Sequence, residues 1–232
     1  MTAFESYRFS FEEVCPQYSE INEFLHLDTL DAENPVEEFI AEQLLDLRKN
    51  EEIVGGYIIK ELQSIDSKSG IITVGNTELK IGKQVCGYLK GASHIALFLC
   101  TAGIYFSEAS QRYNAQGAIL EAYLVDALGS LTVENAMNIV QQRLEESVME
   151  NNLKISNRYS PGYCNWALSS QQTLFRLIGA NPLPIFLSES CLMNPIKSVS
   201  GIIGIGENMQ KREYGCQVCN NKECIYRKLI RE

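Results

Sequence analysis

The chain has 232 residues, 45% of them hydrophobic and 21% charged, with a formal net charge of −9. That length allows one large domain or two small ones with a sizeable core, and the composition is that of an ordinary globular protein. The acidic balance argues against non-specific nucleic-acid binding, which needs a basic footprint, and against attachment to anionic membranes.

No signal peptide is expected, because Met1 to Phe11 contains Glu5 and no apolar run. No stretch approaches roughly 20 consecutive apolar residues, so no transmembrane helix is expected. A cytoplasmic location follows as the expectation. The eight cysteines then read as thiols that stay reduced, bind metal or act in redox chemistry, not as a disulfide framework.

Taken in order, Phe9 and Phe11 alternate with polar residues as in a short strand, and Glu20 to Leu27 suits a short helix. Asn34-Pro35 opens a clearer helix: Pro35 fits the first helical position, and Glu37 and Glu38 suit its positive end. Val36, Phe39, Ile40, Leu44 and Leu47 recur at helical spacing through Asn50. Residues 53–81 switch to strand signals, with a hairpin turning at Gly75-Asn76. Residues 83–90 read as a helical turn or short helix. His94 to Cys100 is a continuous apolar run, as in a buried central strand. It ends in Thr101-Ala-Gly103, small residues that permit close backbone approach. His94 reads as a structural group at a strand start.

Residues 104–150 are predominantly helical, with Ile119, Leu120, Tyr123, Leu124, Ala127, Leu128, Leu131, Ala136, Met137, Val140 and Leu144 on an apolar stripe. Gly129-Ser130 interrupts it, so either something packs close there or the helix kinks. Asp126 and Glu134 lie near that spot; helix carboxylates are usually solvated, and Glu134, if it faces inward among its apolar neighbours, needs a cationic partner. Asn151 to Asn157 reads as a polar linker.

Arg158-Tyr-Ser-Pro-Gly-Tyr-Cys-Asn-Trp166 is the densest stretch chemically. Pro161 then Gly162 predicts a tight turn. Around it sit a guanidinium suited to a carboxylate and aromatic faces suited to a planar ring or a cation. Two readings stand: a wall of a small-molecule pocket, or a surface turn whose aromatics pin it to the core.

Ser169-Ser-Gln-Gln predicts a Ser-capped helix running to Gly179, and Asn181-Pro-Leu-Pro184 a loop. Lys197 to Gly206 reads as an edge or hairpin strand loosened by glycine. Its Gly-x-x-Gly-x-Gly order, with no helix after it, is not a dinucleotide fingerprint. Cys216, Cys219 and Cys224 are spaced to share a metal. Cys164 or Cys191 is available as a fourth ligand, and the alternative is a cluster of thiols near a turn. No nucleophile-elbow context supports a hydrolase.

Leu128-Gly-Ser-x-x-x-Glu134, Arg158-x-x-Pro-Gly-Tyr163, and Leu187-x-Glu-Ser-x-x-Met-x-Pro195 followed by Ser198-Val-Ser-Gly201 occur together. In their order and spacing the chain resembles the activation domain of cobalamin-dependent methionine synthase, and more closely the free-standing relatives of that domain. The resemblance covers roughly residues 95 to 215. It implies an α+β fold: a single curved domain over 1–232, with a twisted antiparallel sheet flanked by helices. Residues 1–90 form its N-terminal part and 210–232 a cysteine-rich C-terminal extension.

The resemblance also implies S-adenosylmethionine binding by Glu134, Arg158, Ser160 through its backbone, Gly162 and Tyr163, with Tyr214 as a further contact two residues off the family spacing. It implies reductive methylation of an oxidised corrinoid (cobalamin) carried by a partner methyltransferase, with an electron donor such as flavodoxin. No protein acid or base is required. Three departures stand out. The family's N-terminal aspartate has no match. The turn continues Cys164-Asn-Trp166 where the family has proline. The Cys216, Cys219 and Cys224 cluster is absent from the fused domain. Two alternatives follow: a metal or iron–sulfur (or zinc) redox protein delivering electrons to a corrinoid protein, and a non-catalytic partner-binding module.

Overall fold

The structure is a computed structural model that describes residues 3–25, 35–49, 52–180 and 183–212. It comprises two compact units. The first draws on Met1–Ile58, Phe98–Leu144 and Gly179–Ser200, the second on Ile59–Leu97, Glu145–Ile178 and Gly201–Glu232. In chain order the elements are β1 (Glu5–Phe9), α1 (Phe11–Val14), α2 (Tyr18–Leu25), α3 (Pro35–Asp46), β2 (Ile53–Asp66), β3 (Ile71–Val74), β4 (Thr77–Lys80), α4 (Lys83–Tyr88), β5 (His94–Thr101), α5 (Tyr105–Ala115), α6 (Ile119–Met149), β6 (Lys154–Tyr159), α7 (Gln171–Ile178), β7 (Phe186–Leu187), β8 (Met193–Asn194) and β9 (Ser198–Gly206). Short 3-10 turns follow α3 and precede α7. The seven-stranded sheet runs β4-β3-β2-β5-β9-β6, with β1 also on β2. Every pair of defined register is antiparallel. The fold is therefore mixed α and β, an antiparallel sheet flanked by helices, as the motifs imply.

In the first unit, β1 lies along β2 with Phe9 opposite Ile53 and Glu5 opposite Tyr57. Phe11 does not continue that strand. Ser10 caps α1 instead, accepting from Glu13 N while the Glu13 carboxylate accepts from Ser10 N at 2.8 Å. This is a capping box, which outcompetes strand alternation for a short segment. Pro35 does open α3, and Val36, Ile40 and Leu47 are buried. Residues Ile95 to Thr101 of β5 are buried throughout, as expected of a central strand.

The 31-residue α6 buries Leu124, Ala127, Leu128, Ala136, Met137, Val140 and Leu144. A Cβ at Gly55 of β2 would lie 2.7 Å from Cys100 Sγ and 3.0 Å from Val140 Cγ2, so strand and helix approach closely there. The stripe does not hold to the helix start: Ile119, Leu120 and Tyr123 are 72%, 54% and 55% exposed. The apolar face continues beyond the neighbours that cover it.

In the second unit, Gly75 takes φ 59° in the β3–β4 turn, as a tight hairpin requires. The predicted linker at 151–157 is instead largely strand, β6. It pairs with β9 through a bulge between Ile155 and Arg158, which breaks the alternation that would have marked it. Nor is β9 an edge. It lies between β5 and β6, and Ser200 to Gly206 are buried. Its glycines serve close packing: a Cβ on Gly204 would sit 2.6 Å from Leu89 Cδ2, and one on Gly206 2.6 Å from Gly91 O. The helix after Ser169 forms behind a 3-10 turn at Leu168–Ser170 whose N-cap is Ala167, with no side-chain cap. Ser170 Oγ donates to Lys80 O at 3.0 Å. His94 is half-buried, its Nδ1 2.9 Å from Ser93 Oγ. No helix among the described residues is long and apolar enough to cross a membrane.

Candidate functional site

Arg158 sits on β6, opposite Ile203 of β9, and Tyr159 opposite Ile202. The bulge before it is held by side chains. Gly204 N donates to Ser156 Oγ at 2.9 Å. Asn157 pairs with the backbone of Arg212 in both directions, at 2.6 and 2.8 Å. Tyr159 stacks on Tyr88 with centroids 5.5 Å apart and planes at 20°, and the Arg212 guanidinium lies 5.1 Å from the Tyr88 centroid. The strand carrying Arg158 is thus fixed before the chain turns.

The turn is double. Tyr163 N donates to Ser160 O at 3.2 Å across Pro161-Gly162, with Gly162 at φ 96°. That positive φ at the third position is what a type II turn asks of glycine. Trp166 N then donates to Tyr163 O at 2.8 Å across Cys164 (φ 52°) and Asn165 (φ 59°), a left-handed pair. Gly162 N donates to Trp166 O at 2.8 Å and closes the loop. Non-glycine residues in this region cost of order 1 kcal/mol each, so the loop is held by its hydrogen bonds and by Trp166, which is 2% exposed.

The stretch divides into buried and exposed residues. Trp166 and Tyr159 are buried and anchor it. Tyr163 is 71% exposed, and Gly162 is exposed, with no atom closer than Leu168 Cδ1 at 3.8 Å to where its Cβ would stand. A planar ligand can therefore reach both the phenol face and the glycine backbone. Arg158 and Ser160 are half-buried beside them. One unit gathers Arg158, Ser160, Gly162 and Tyr163.

Glu134 lies on α6 in the other unit and is exposed, so it is not the inward carboxylate its apolar neighbours suggest. Two turns earlier, Asp126 meets Lys197 at 2.7 Å. The sequence marks Lys197 only as the start of a strand; the small pair Gly129-Ser130 is the signal that something packs close there.

Tyr214, Cys216, Cys219 and Cys224 lie outside the described residues. Cys164, the suggested fourth ligand, is half-buried and in no disulfide, and Cys191 is buried. Among the described residues no group of three or more His, Cys, Asp or Glu is placed to hold a metal ion. An open cleft of about 510 Å³ in the first unit is lined by Phe11, Cys15, Tyr18, Leu44, Leu45 and Arg48, among others. It contains none of the sequence-predicted residues.

No curated protein matches the chain. Among solved structures, it is similar to a crystal structure of the MetH reactivation domain bound to AdoHcy. The TM-score is 0.66 at 15% identity, over 92% of this chain and 81% of that one. The likeness extends across the N-terminal elements, where the sequence motifs are thin. The family model described as vitamin B12 dependent methionine synthase, activation domain, matches residues 85–227. That is more than half of the chain and includes the Glu134, Arg158 and Ser198 motifs. This protein belongs to the vitamin B12-dependent methionine synthase activation domain family.

Proposed function

We propose that the chain acts as a free-standing reactivation protein. It binds S-adenosylmethionine and supports reductive methylation of an oxidised corrinoid on a partner methyltransferase such as cobalamin-dependent methionine synthase. In that reaction one electron from a donor such as flavodoxin would reduce the partner's corrinoid, which would then take the sulfonium methyl as S-adenosylhomocysteine leaves. Family membership supports this reading, as does the AdoHcy held by the structurally similar reactivation domain. The single observation that carries it is the Arg158 stretch: a clamped strand leads into a hydrogen-bonded double turn that leaves Gly162 and Tyr163 open.

The chain's own residues bind and orient. Arg158 offers the planar fork that suits the ligand's carboxylate. The Ser160 and Gly162 backbone lets the ligand approach closely, and the exposed face of Tyr163 suits a planar ring or the sulfonium charge. The Glu134 carboxylate accepts from an ammonium or from ribose hydroxyls. Tyr214 is a further contact. No residue here has to move a proton; positioning is the contribution, and it is worth several kcal/mol of a barrier.

Calorimetry with S-adenosylmethionine tests the reading. A hydrogen-bonded charge pair is worth about 1.5–3 kcal/mol, so Arg158→Ala is expected to weaken binding roughly 10- to 100-fold while the far-UV spectrum is retained. Arg158→Lys keeps the charge without the fork and should fall between. Wild-type affinity in Arg158→Ala would overturn the assignment.

A further inference from the structure

Lys197 is 8% exposed, an unusual place for an ammonium, since lysine is rarely buried unless paired. Its Nζ lies 2.7 Å from Asp126 Oδ1 and donates to Ser130 Oγ at 3.0 Å. Ser130 Oγ in turn donates to the helix carbonyl of Asp126 at 3.2 Å. The aliphatic stem lies against Gly129, where a Cβ would fall 2.9 Å from Lys197 Cγ. At the backbone, Lys197 O accepts from Ala102 N at 2.8 Å and from Thr101 Oγ1 at 3.2 Å. One residue thus ties the end of β5 and the start of β9 to the middle of α6. All these groups belong to the same compact unit.

Stability alone does not call for a charge here. The Asp126 side chain is 50% exposed, so the pair is only partly desolvated, and an ion pair open to water on one side adds little net stability. What a charged, directional contact adds is a fixed rotation and register for the helix it grips. Asp126, Ser130 and Glu134 are spaced by four, so they share one face of α6 with about 6 Å between successive Cβ atoms. The ammonium therefore grips the helix one turn before Glu134. A site residue that drifts by about 1 Å can cost on the order of a hundredfold in function.

We propose that Lys197 is a positioning residue: by clamping α6 at Asp126 and Ser130 it fixes where the Glu134 carboxylate stands for S-adenosylmethionine. This rests on the reading of Glu134 given above. Lys197 does not touch the ligand; its effect passes through Glu134.

The test is calorimetry with S-adenosylmethionine on the full chain, in a double-mutant cycle. Lys197→Met keeps the stem and removes the charge. It is expected to weaken binding about tenfold while the melting temperature holds or rises, and Lys197→Arg should recover most of the loss. In the Glu134→Gln background, Lys197→Met should cost nothing further. Unchanged binding in Lys197→Met, or an equal loss with Glu134 and without it, overturns the proposal. If Lys197→Met does not fold, Ser130→Ala carries the same cycle: an expected loss of about threefold with Glu134 present and none in the Glu134→Gln background, with equal losses in both overturning it. Wild-type affinity in Glu134→Gln sinks the underlying reading of Glu134 as a ligand contact. Weakened Glu134→Gln beside an unaffected Lys197→Met sinks only the role of Lys197.

Discussion

Gly129 sets two physical effects against each other, and the structure decides the sign. Alanine is favoured over glycine in a helix interior by about 1 kcal/mol, and Gly129 lies well inside α6. A Cβ there, however, would stand 2.7 Å from Phe106 Cγ, 2.8 Å from Phe106 Cβ and 2.9 Å from Lys197 Cγ. Phe106 is fully buried, and its own Cβ is fixed to the α5 backbone, so no rotamer change relieves the clash. Overpacking of this kind typically costs 1–3 kcal/mol, and a contact that forces backbone to shift belongs at the upper end. Gly129→Ala is thus expected to destabilise by about 2 kcal/mol net, which for a chain of this size lowers the melting temperature by roughly 4–8 °C. Gly87 is the control. It lies in α4, and nothing is within 4 Å of where its Cβ would go. Gly87→Ala should raise the melting temperature by roughly 1–4 °C. Thermal melts followed by far-UV circular dichroism read both. If the two variants shift in the same direction, or Gly129→Ala melts at or above the wild type, the packing argument at the helix crossing fails.

The capping box at Ser10 and the half-buried phenol of Tyr105 give pH-resolved tests. Hydrogen bonds from Ser10 N and Oγ hold the Glu13 carboxyl below its ordinary 4.5. Its contribution is therefore full above that value and lost as pH falls through the lower folded one. Ser10→Ala should cost roughly 2–4 °C in melting temperature near neutrality, and the difference should shrink in acid; a gap that does not change with pH counts against the box. Tyr105 is pushed up to about 12 by burial, then by donating to Asp46 Oδ2 at 2.8 Å. Its neutral form is the stabilised one, so its contribution is full below the ordinary 10.0 and is lost as pH climbs through the raised value. Ultraviolet difference titration should show one phenol ionising late, and Asp46→Asn should bring it down; an unchanged titration curve in that variant removes Asp46 as a cause.

Where local physics decides, the sequence was legible. Pro35 followed by Glu37 and Glu38 marks a helix start, Gly75-Asn76 between apolar runs marks a hairpin turn, and the apolar run of β5 calls for cover on both faces. The close approach at Gly129 could be read from the small residues. What escaped was tertiary in cause. The alternation of β6 is broken by a bulge whose Ser156 and Asn157 serve the backbone of Gly204 and Arg212, partners some fifty residues away. The glycines of β9 look like loosening from within the strand and are close packing from outside it. The periodicity of α6 has no means of showing that its covering neighbours stop short of Ile119 and Tyr123. The Ser10-x-x-Glu13 box was readable by rule and was overridden by the more familiar alternation of Phe9 and Phe11. Direction was not legible at Glu134, which follows apolar neighbours and yet is exposed.

The same division explains why the Arg158 stretch suits binding. Two left-handed non-glycine residues in succession are unfavourable, and a flexible surface loop would relax out of them. Here three backbone hydrogen bonds and a buried indole hold them. A ligand meeting this turn does not have to order it, so the entropy that a mobile loop would lose on binding has already been spent in folding. Aromatic anchoring and an open face are accordingly compatible within one stretch. Trp166 and Tyr159 are buried so that Gly162 and Tyr163 can stay exposed in a fixed shape.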